Sequence, residues 1–263
     1  MVSDSVLIMV SALGETATLA LMVRRGILRT FPVFCAYIAW ALLSDLAGLY
    51  LLRHAVDADA FQRFYLVEMT IDSILQFAVL VELAWSVLRP VRTTLPRGSL
   101  LVIILLLAIA GAIIWPIAGV AMPHNFTPQS ERIFQLEETF TMLRVVFFLV
   151  MTGFSQILSI GWHDRELQIA TGLGVYSIAT LLVTVLHSHQ FTGDKYHWMD
   201  QAVSISYLGT LSYWIYSFLT KEQERKEFSP QMLRFLLLMG AGARVSRVAL
   251  TNGPPLDRIG KKD

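Results

Sequence analysis

Residues 99–121 read SLLVIILLLAIAGAIIWPIAGVA, an apolar run without a single charged side chain. A helix rises about 1.5 Å per residue, so roughly 20 such residues cross a hydrocarbon core about 30 Å thick. A run this long and this apolar reads as a membrane span rather than as the core helix of a soluble domain. Working outward, six more windows have comparable length and apolar content: 5–23, 32–52 and 64–88 before it, and 134–160, 167–188 and 199–219 after it. The expected fold is all-α integral membrane, a seven-transmembrane helix bundle. Pro32, two residues after Thr30, suits a helix start, because a proline at the first helical position gives up no hydrogen bond. Pro116 predicts a kink in the fourth span. Windows 64–88 and 134–160 exceed the hydrocarbon thickness and are expected to tilt or project beyond it.

Composition agrees. Of the 263 residues 55% are apolar and 16% charged, against about a quarter charged in soluble domains, and the mean hydropathy is +0.57. The lipid bilayer is therefore the first expected partner. The formal net charge of +1 offers no argument for nucleic acid, and none is expected as a partner. Cys35 is the single cysteine, so it forms no internal disulfide, and its expected role is packing.

Orientation follows from where the basic residues fall. The N-terminal run lacks the positive start of a secretory signal, carries Asp4 instead, and is followed by Arg24 and Arg25, so it reads as a reverse-oriented anchor helix. Arg24, Arg25 and Arg29 follow the first span, Arg89, Arg92 and Arg97 follow the third, and the tail holds Lys221, Arg225, Lys226, Arg234, Arg244 and Arg247. The alternate loops hold scattered positives such as Arg53, Arg63, Arg132 and Lys195. The positive-inside rule then puts the N-terminus outside and the C-terminus in the cytoplasm of a cell (inner) membrane. The loop at His163, Asp164, Arg165 and Glu166 contributes least to that assignment. Two parts are expected: a seven-transmembrane domain at 1–220 and a basic cytoplasmic tail at 221–263. Within the tail, 229–239 opens on Ser229 and Pro230 and holds Leu236, Leu237 and Leu238 beside Arg234. It is too short to span, and a short interfacial C-terminal helix on the inner leaflet is expected.

Ionisable residues inside spans are costly, so each is a functional hypothesis. Glu15 lies midway along the first span, Asp45 in the outer half of the second, Glu68 and Asp72 in that of the third, and Glu137, Glu138 and Arg144 in that of the fifth. His187 ends the sixth span outside and Asp200 begins the seventh there. Helical spacing says which can cooperate: Glu68, Asp72 and Gln76 share one face, as do Glu137, Thr141 and Arg144. Ser177, Thr180, Thr184 and His187 form a stripe on the sixth span, and Asp200, Ser204 and Tyr207 another on the seventh. The fourth span has no such face and is expected to meet lipid. The pattern predicts an outward-facing acidic pocket with Glu15, Asp45, Glu68, Asp72, Gln76, Glu137, Arg144, Thr184, His187, Asp200 and Tyr207 as ligand-binding residues. The plainer reading pairs Arg144 structurally with Glu68, Asp72 or Glu137 and lets the hydroxyl stripes join helices. Arg144 cannot neutralise every acid, so the rest must be protonated, hydrated or matched by an external cation. Glu138 is turned about 100° from Glu137 and is expected at a helix interface. Glu82, near the inner end of the third span, is expected to snorkel or to sit at an interface.

His187, His189, His197 and Asp200 are residue types that ligate zinc or copper, but no HExxH or comparable spacing occurs. Solvated loop histidines are the expectation, and neither metal nor other cofactor is expected. No lysine lies in the seventh span to form a retinal Schiff base, no Asp-Arg-Tyr ends the third span, and no Asn-Pro pair occurs in the seventh. The residues required by rhodopsin-like bundles and the common eukaryotic receptors are thus missing. A three-plus-one-plus-three plan of parallel repeats fits the span count. Setting Tyr37 against Tyr176, however, aligns little beyond Leu28 with Leu167 and Leu42-Leu43 with Leu181-Leu182.

Three functions compete. The leading expectation is a sensor or receptor-like module that binds a small cationic or protonatable ligand from outside and signals to a cytoplasmic protein partner at the inner loops and tail. The alternative is a small-solute or proton-coupled transporter, which needs polar residues continuing inward, where the spans offer mainly Ser155, Gln156, Tyr176 and Glu82. An intramembrane metal-dependent hydrolase ranks last for want of a nucleophile or metal constellation.

Overall fold

The charge-free run folds as a single helix, Ser99–Ala118, with Pro116 inside its last turn. It is α4 in the order α1 (Val2–Arg24), α2 (Pro32–Arg53), α3 (Ala58–Val87), α4, α5 (Pro128–Gly153), α6 (Arg165–Ser188) and α7 (Asp194–Leu219). The computed structural model describes residues 2–53, 58–88, 98–118, 128–153, 155, 164–188 and 194–220, and no strand occurs among them. The 221–263 tail, with its expected 229–239 helix, lies outside the described residues.

Among the described residues α1, α2, α3, α4 and α6 are long and apolar enough to cross a membrane. α5 and α7 match them in length but are less apolar. α5 carries Glu137, Glu138 and Arg144, while Ser204, Ser206, Tyr207, Thr210, Ser212, Tyr213 and Ser217 dilute α7. These two helices thus trade hydrocarbon solubility for polar side chains.

Helix boundaries depart from the apolar windows. α3 begins at Ala58 and α7 at Asp194, each several residues before its window, because backbone hydrogen bonding continues through a polar first turn that hydropathy does not register. α5 ends at Gly153 rather than near 160. The glycine disfavours continuation, and the Ser155 N–H turns back onto the Thr152 carbonyl at 3.3 Å. Between α1 and α2, Gly26 adopts φ 71° and leads into a single 3-10 turn at Ile27–Arg29. That left-handed conformation costs glycine nothing. Pro32 is the first residue of α2, as its position predicts.

Packing neighbours define a closed ring of six helices. α1 packs on α2, α2 on α3, α3 on α5, α5 on α6, α6 on α7, and α7 back on α1. α4 stands outside this ring against α3 and α5. No residue of α4 between Leu100 and Ile117 is buried. An exposed apolar face of that extent is unstable in water and at home in hydrocarbon.

One half of the ring interior is filled by an apolar plug. Phe31, Phe34, Ile38, Leu83, Leu173, Leu211, Trp214 and Phe218 are buried in one cluster, and Met22 and Val79 belong to it. Phe34 meets Trp214 edge-on, with ring centroids 5.0 Å apart at 82°, and Phe218 at 6.4 Å and 83°, the geometry favoured by aromatic quadrupoles. Trp214 is accommodated because α6 presents Gly172 to it; a Cβ there would collide with the indole.

Polar side chains seal this plug end. The backbone N–H groups of Val33 and Phe34 donate to the two Glu82 carboxylate oxygens, each at 2.8 Å. Glu82 therefore caps the N-terminus of α2 from α3, satisfying donors that a helix start leaves open. At the other polarity, Arg165 donates to the carbonyls of Ser217 (2.6 Å) and Thr220 (2.9 Å), and Arg25 to that of Leu219 (2.8 Å), closing the C-terminus of α7. Ser86 donates to Glu166 at 2.7 Å. Asp164, Arg165 and Glu166 are all buried.

Candidate functional site

The opposite half of the ring is hollow. A cavity of about 510 Å³ is lined from all six ring helices: Ser11 and Glu15 of α1, Tyr37, Trp40, Ser44 and Asp45 of α2, Glu68, Asp72 and Gln76 of α3, Glu137 and Arg144 of α5, Tyr176 and Thr180 of α6, and Gln201, Ser204 and Tyr207 of α7. α4 contributes nothing to it. The cavity lies at the end where α1, α3, α5 and α7 begin. Arg24, Arg25 and Arg29 are at the plug end.

The i, i+4 and i, i+7 spacings explain the convergence. Glu68, Asp72 and Gln76 descend one face of α3 by successive turns, and Glu137 and Arg144 are two turns apart on α5. Neighbouring helices are tied by hydrogen bonds from these same groups. Tyr207 donates its hydroxyl to Glu15 Oε1 at 2.6 Å, joining α7 to α1. Ser11 donates to Asp45, joining α1 to α2, and Gln76 donates to Asp72 within α3.

Arg144 occupies the deep part of the lining and is only 3% exposed. Its Nη2 donates to Thr141 Oγ1 at 3.0 Å, and its guanidinium carbon lies 5.7 Å from the centroid of the Tyr176 ring. Its Nε and Nη1 find no hydrogen-bond partner among the described residues. Neither nitrogen is therefore hydrogen-bonded to Glu68, Asp72 or Glu137, while the charges of Asp72 and Glu137 lie within electrostatic reach of the guanidinium. Glu15 Oε2, Gln76 Oε1 and Trp40 Nε1 are likewise buried without a partner among the described residues. Buried polar atoms are normally satisfied, and these line the cavity, while Thr152, Thr171, Ser177 and Trp214 hold further unpaired atoms away from it.

Eight of the eleven residues named as ligand-binding therefore surround one cavity: Glu15, Asp45, Glu68, Asp72, Gln76, Glu137, Arg144 and Tyr207. Thr184 does not. Its hydroxyl donates to the carbonyl of Thr180, one turn back on its own helix, at 3.0 Å. Thr139, Thr141 and Thr180 bond backward in the same way, so these threonines satisfy themselves locally rather than joining helices. His187 falls in the last turn of α6 and Asp200 well inside α7, but their side chains, like His189 and the His197 side chain, lie outside the described residues. Glu138 is buried away from the cavity. Among the described residues no three metal-ligating side chains come together.

The sequence reading missed Tyr37, Trp40 and Ser44, and it assigned Tyr176 to the opposite half. Tyr176 lies midway along α6, its ring 5.4 Å from that of Tyr207. The lone usable signal was the i+4 step from Tyr176 to Thr180, which puts both on one helix face.

No protein-family model, no curated protein and no solved structure matches the chain.

Proposed function

We propose that the chain is a seven-span, multi-pass receptor-like module of the cell (inner) membrane that takes a small cationic ligand into this cavity. The observation that carries the reading is the convergence of Glu15, Asp45, Glu68, Asp72 and Glu137 from four helices on one cavity whose far side is packed with apolar and aromatic side chains. One cationic side chain faces five carboxylates there, and a bound cation supplies the missing positive charge. Tyr37, Trp40, Tyr176 and Tyr207 also line the cavity, and aromatic rings suit an ammonium group.

Basic residues at the plug end support an arrangement with the N-terminus outside, the cavity opening outward and the tail in the cytoplasm. The plug favours binding over passage, because a carrier needs polar groups continuing beyond Tyr176, where Phe34, Trp214 and Phe218 stand instead. The signal passes to a cytoplasmic protein partner at the inner loops and tail.

The test uses the full chain in lipid nanodiscs with choline, putrescine and tyramine as probes. At least one raises the melting temperature of the wild type, and the combined Glu68→Gln, Asp72→Asn variant loses that response while melting normally. A wild type indifferent to all three would refute the reading. Uptake of a stabilising amine into liposomes would replace the receptor by a carrier.

A further inference from the structure

Charge divides the cavity lining into two groups. Asp72 and Glu137 act electrostatically on the Arg144 guanidinium, so the basic side chain of the lining is balanced on the α3 and α5 side. Glu15, Asp45 and Glu68 form the other group. Asp45 lies within electrostatic reach of both Glu15 and Glu68, and among the described residues no basic side chain acts on these three. Ser11 and Glu15 are one turn apart on α1, and the bond from Ser11 to Asp45 holds the α1 and α2 walls of this group together.

The open atoms of the lining decide which kind of cation fits. Glu15 Oε2, on a side chain 1% exposed, and Gln76 Oε1, on one 5% exposed, are acceptors without a partner among the described residues. Each side chain is held by its other polar atom: Tyr207 donates to Glu15 Oε1 at 2.6 Å, and Gln76 Nε2 donates to Asp72. The rings are more engaged. Tyr176 lies 5.7 Å from the guanidinium carbon and 5.4 Å from the Tyr207 ring, and Tyr37 stacks on Phe34 at 6.4 Å and 30°. A quaternary ammonium, held by open ring faces, carries no N–H and leaves the buried acceptors unpaired. A primary ammonium brings three N–H donors.

We infer that the ligand is a primary amine, its ammonium group seated between Glu15 and Asp45 with one N–H donated to Glu15 Oε2. The inference rests on the cation-binding reading above and narrows it from any cation to a hydrogen-bond-donating one. Each methyl added to the nitrogen removes a donor at a carboxylate that Tyr207 holds in place, and a site built to hydrogen-bond a group rejects the analogue that lacks it. Glu137, which acts on Arg144, contributes less to the ammonium than Glu15, which faces no cation of the protein. A volume of about 510 Å³ lies within the range of small-molecule sites and leaves room for the body of an arylalkylamine or a diamine.

The test measures binding of phenethylamine, tyramine and putrescine to the full chain in nanodiscs, each as the primary amine and as its N-methylated series up to the trimethylammonium form. The expected result is at least one primary amine bound about tenfold or more tightly than its trimethyl form, although methylation adds apolar surface. Glu15→Gln, which keeps an acceptor for Tyr207, removes that preference and weakens the primary amine more than Glu137→Gln does. A trimethyl form bound as tightly as its primary amine by the wild type overturns the inference and leaves the cation-binding reading standing. A loss in Glu137→Gln at least as large as that in Glu15→Gln has the same consequence. Silence of every form overturns the inference together with that reading. The wild-type series decides the question even if the variants fold poorly.

Discussion

The same six helices build two unlike halves. Toward the plug end they present Phe31, Phe34, Leu83, Leu211, Trp214 and Phe218 to one another, and their termini are closed by Glu82 and Arg165. Toward the other end they present five carboxylates, one arginine and several unsatisfied polar atoms around empty volume. The plug half is what packing and capping produce when stability governs the residues. The hollow half gives up close packing around a cavity, which is what the proposed binding role requires of a scaffold stabilised elsewhere. Stability and ligand response should therefore respond to different mutations.

The largest effect is expected in the plug. Trp214→Ala removes the ring on which Phe34 packs and should cost about 3–5 kcal/mol, read as a lower midpoint in thermal or denaturant unfolding. A loss under about 1 kcal/mol would mean that the stability resides elsewhere. Next comes the cavity, where the combined Glu68→Gln, Asp72→Asn variant should weaken binding of a stabilising amine about hundredfold, or about 2.7 kcal/mol, without lowering the unliganded midpoint. If that midpoint fell as far as with Trp214→Ala, the two halves would not be separable.

The cap sharpens the comparison further. Glu82→Gln keeps the shape of the side chain but loses the charged acceptor for two N–H groups, and should cost about 1–2 kcal/mol while ligand binding stays intact. A binding defect in this variant would show that the plug end communicates with the cavity. The smallest effect is expected outside the ring: Ile113, 64% exposed on α4, should tolerate alanine within about 0.5 kcal/mol and with no change in binding. A larger shift in either would give α4 a role that its position does not.

The contrast between halves was partly legible in the sequence. Charges inside apolar windows are conspicuous, and the period of the helix fixes their shared faces, so Glu68, Asp72, Gln76, Glu137 and Arg144 could be grouped before any coordinates. The aromatic members could not, because Tyr37, Trp40 and Tyr176 have the same composition signature whether they pack in a core, anchor at an interface or line a cavity. Thr184, which bonds the Thr180 carbonyl outside the cavity lining, could not be placed because spacing does not reveal whether a hydroxyl points across helices or bonds its own helix. The role of Glu82 was hidden because its partners, Val33 and Phe34, are far away in the chain. Arg144 shows the deepest gap: charge counting showed that it cannot neutralise every acid, but its place beside Tyr176 of α6 is decided by how the helices meet.

The isolation of α4 has a consequence for how the chain is threaded. The ring helices fall into two successive runs, α1 to α3 and α5 to α7, and exchanging the runs leaves the ring adjacency unchanged: α1 on α2 becomes α5 on α6, α2 on α3 becomes α6 on α7, and α3 on α5 becomes α7 on α1. An odd run of antiparallel helices always ends on the far side from where it began. A second run in the same direction cannot start until the chain has been carried back, and α4 is that return stroke. Its sequence answers mainly to the surroundings on its outer face, which is why the plainest stretch of the protein says the most about lipid and the least about the cavity.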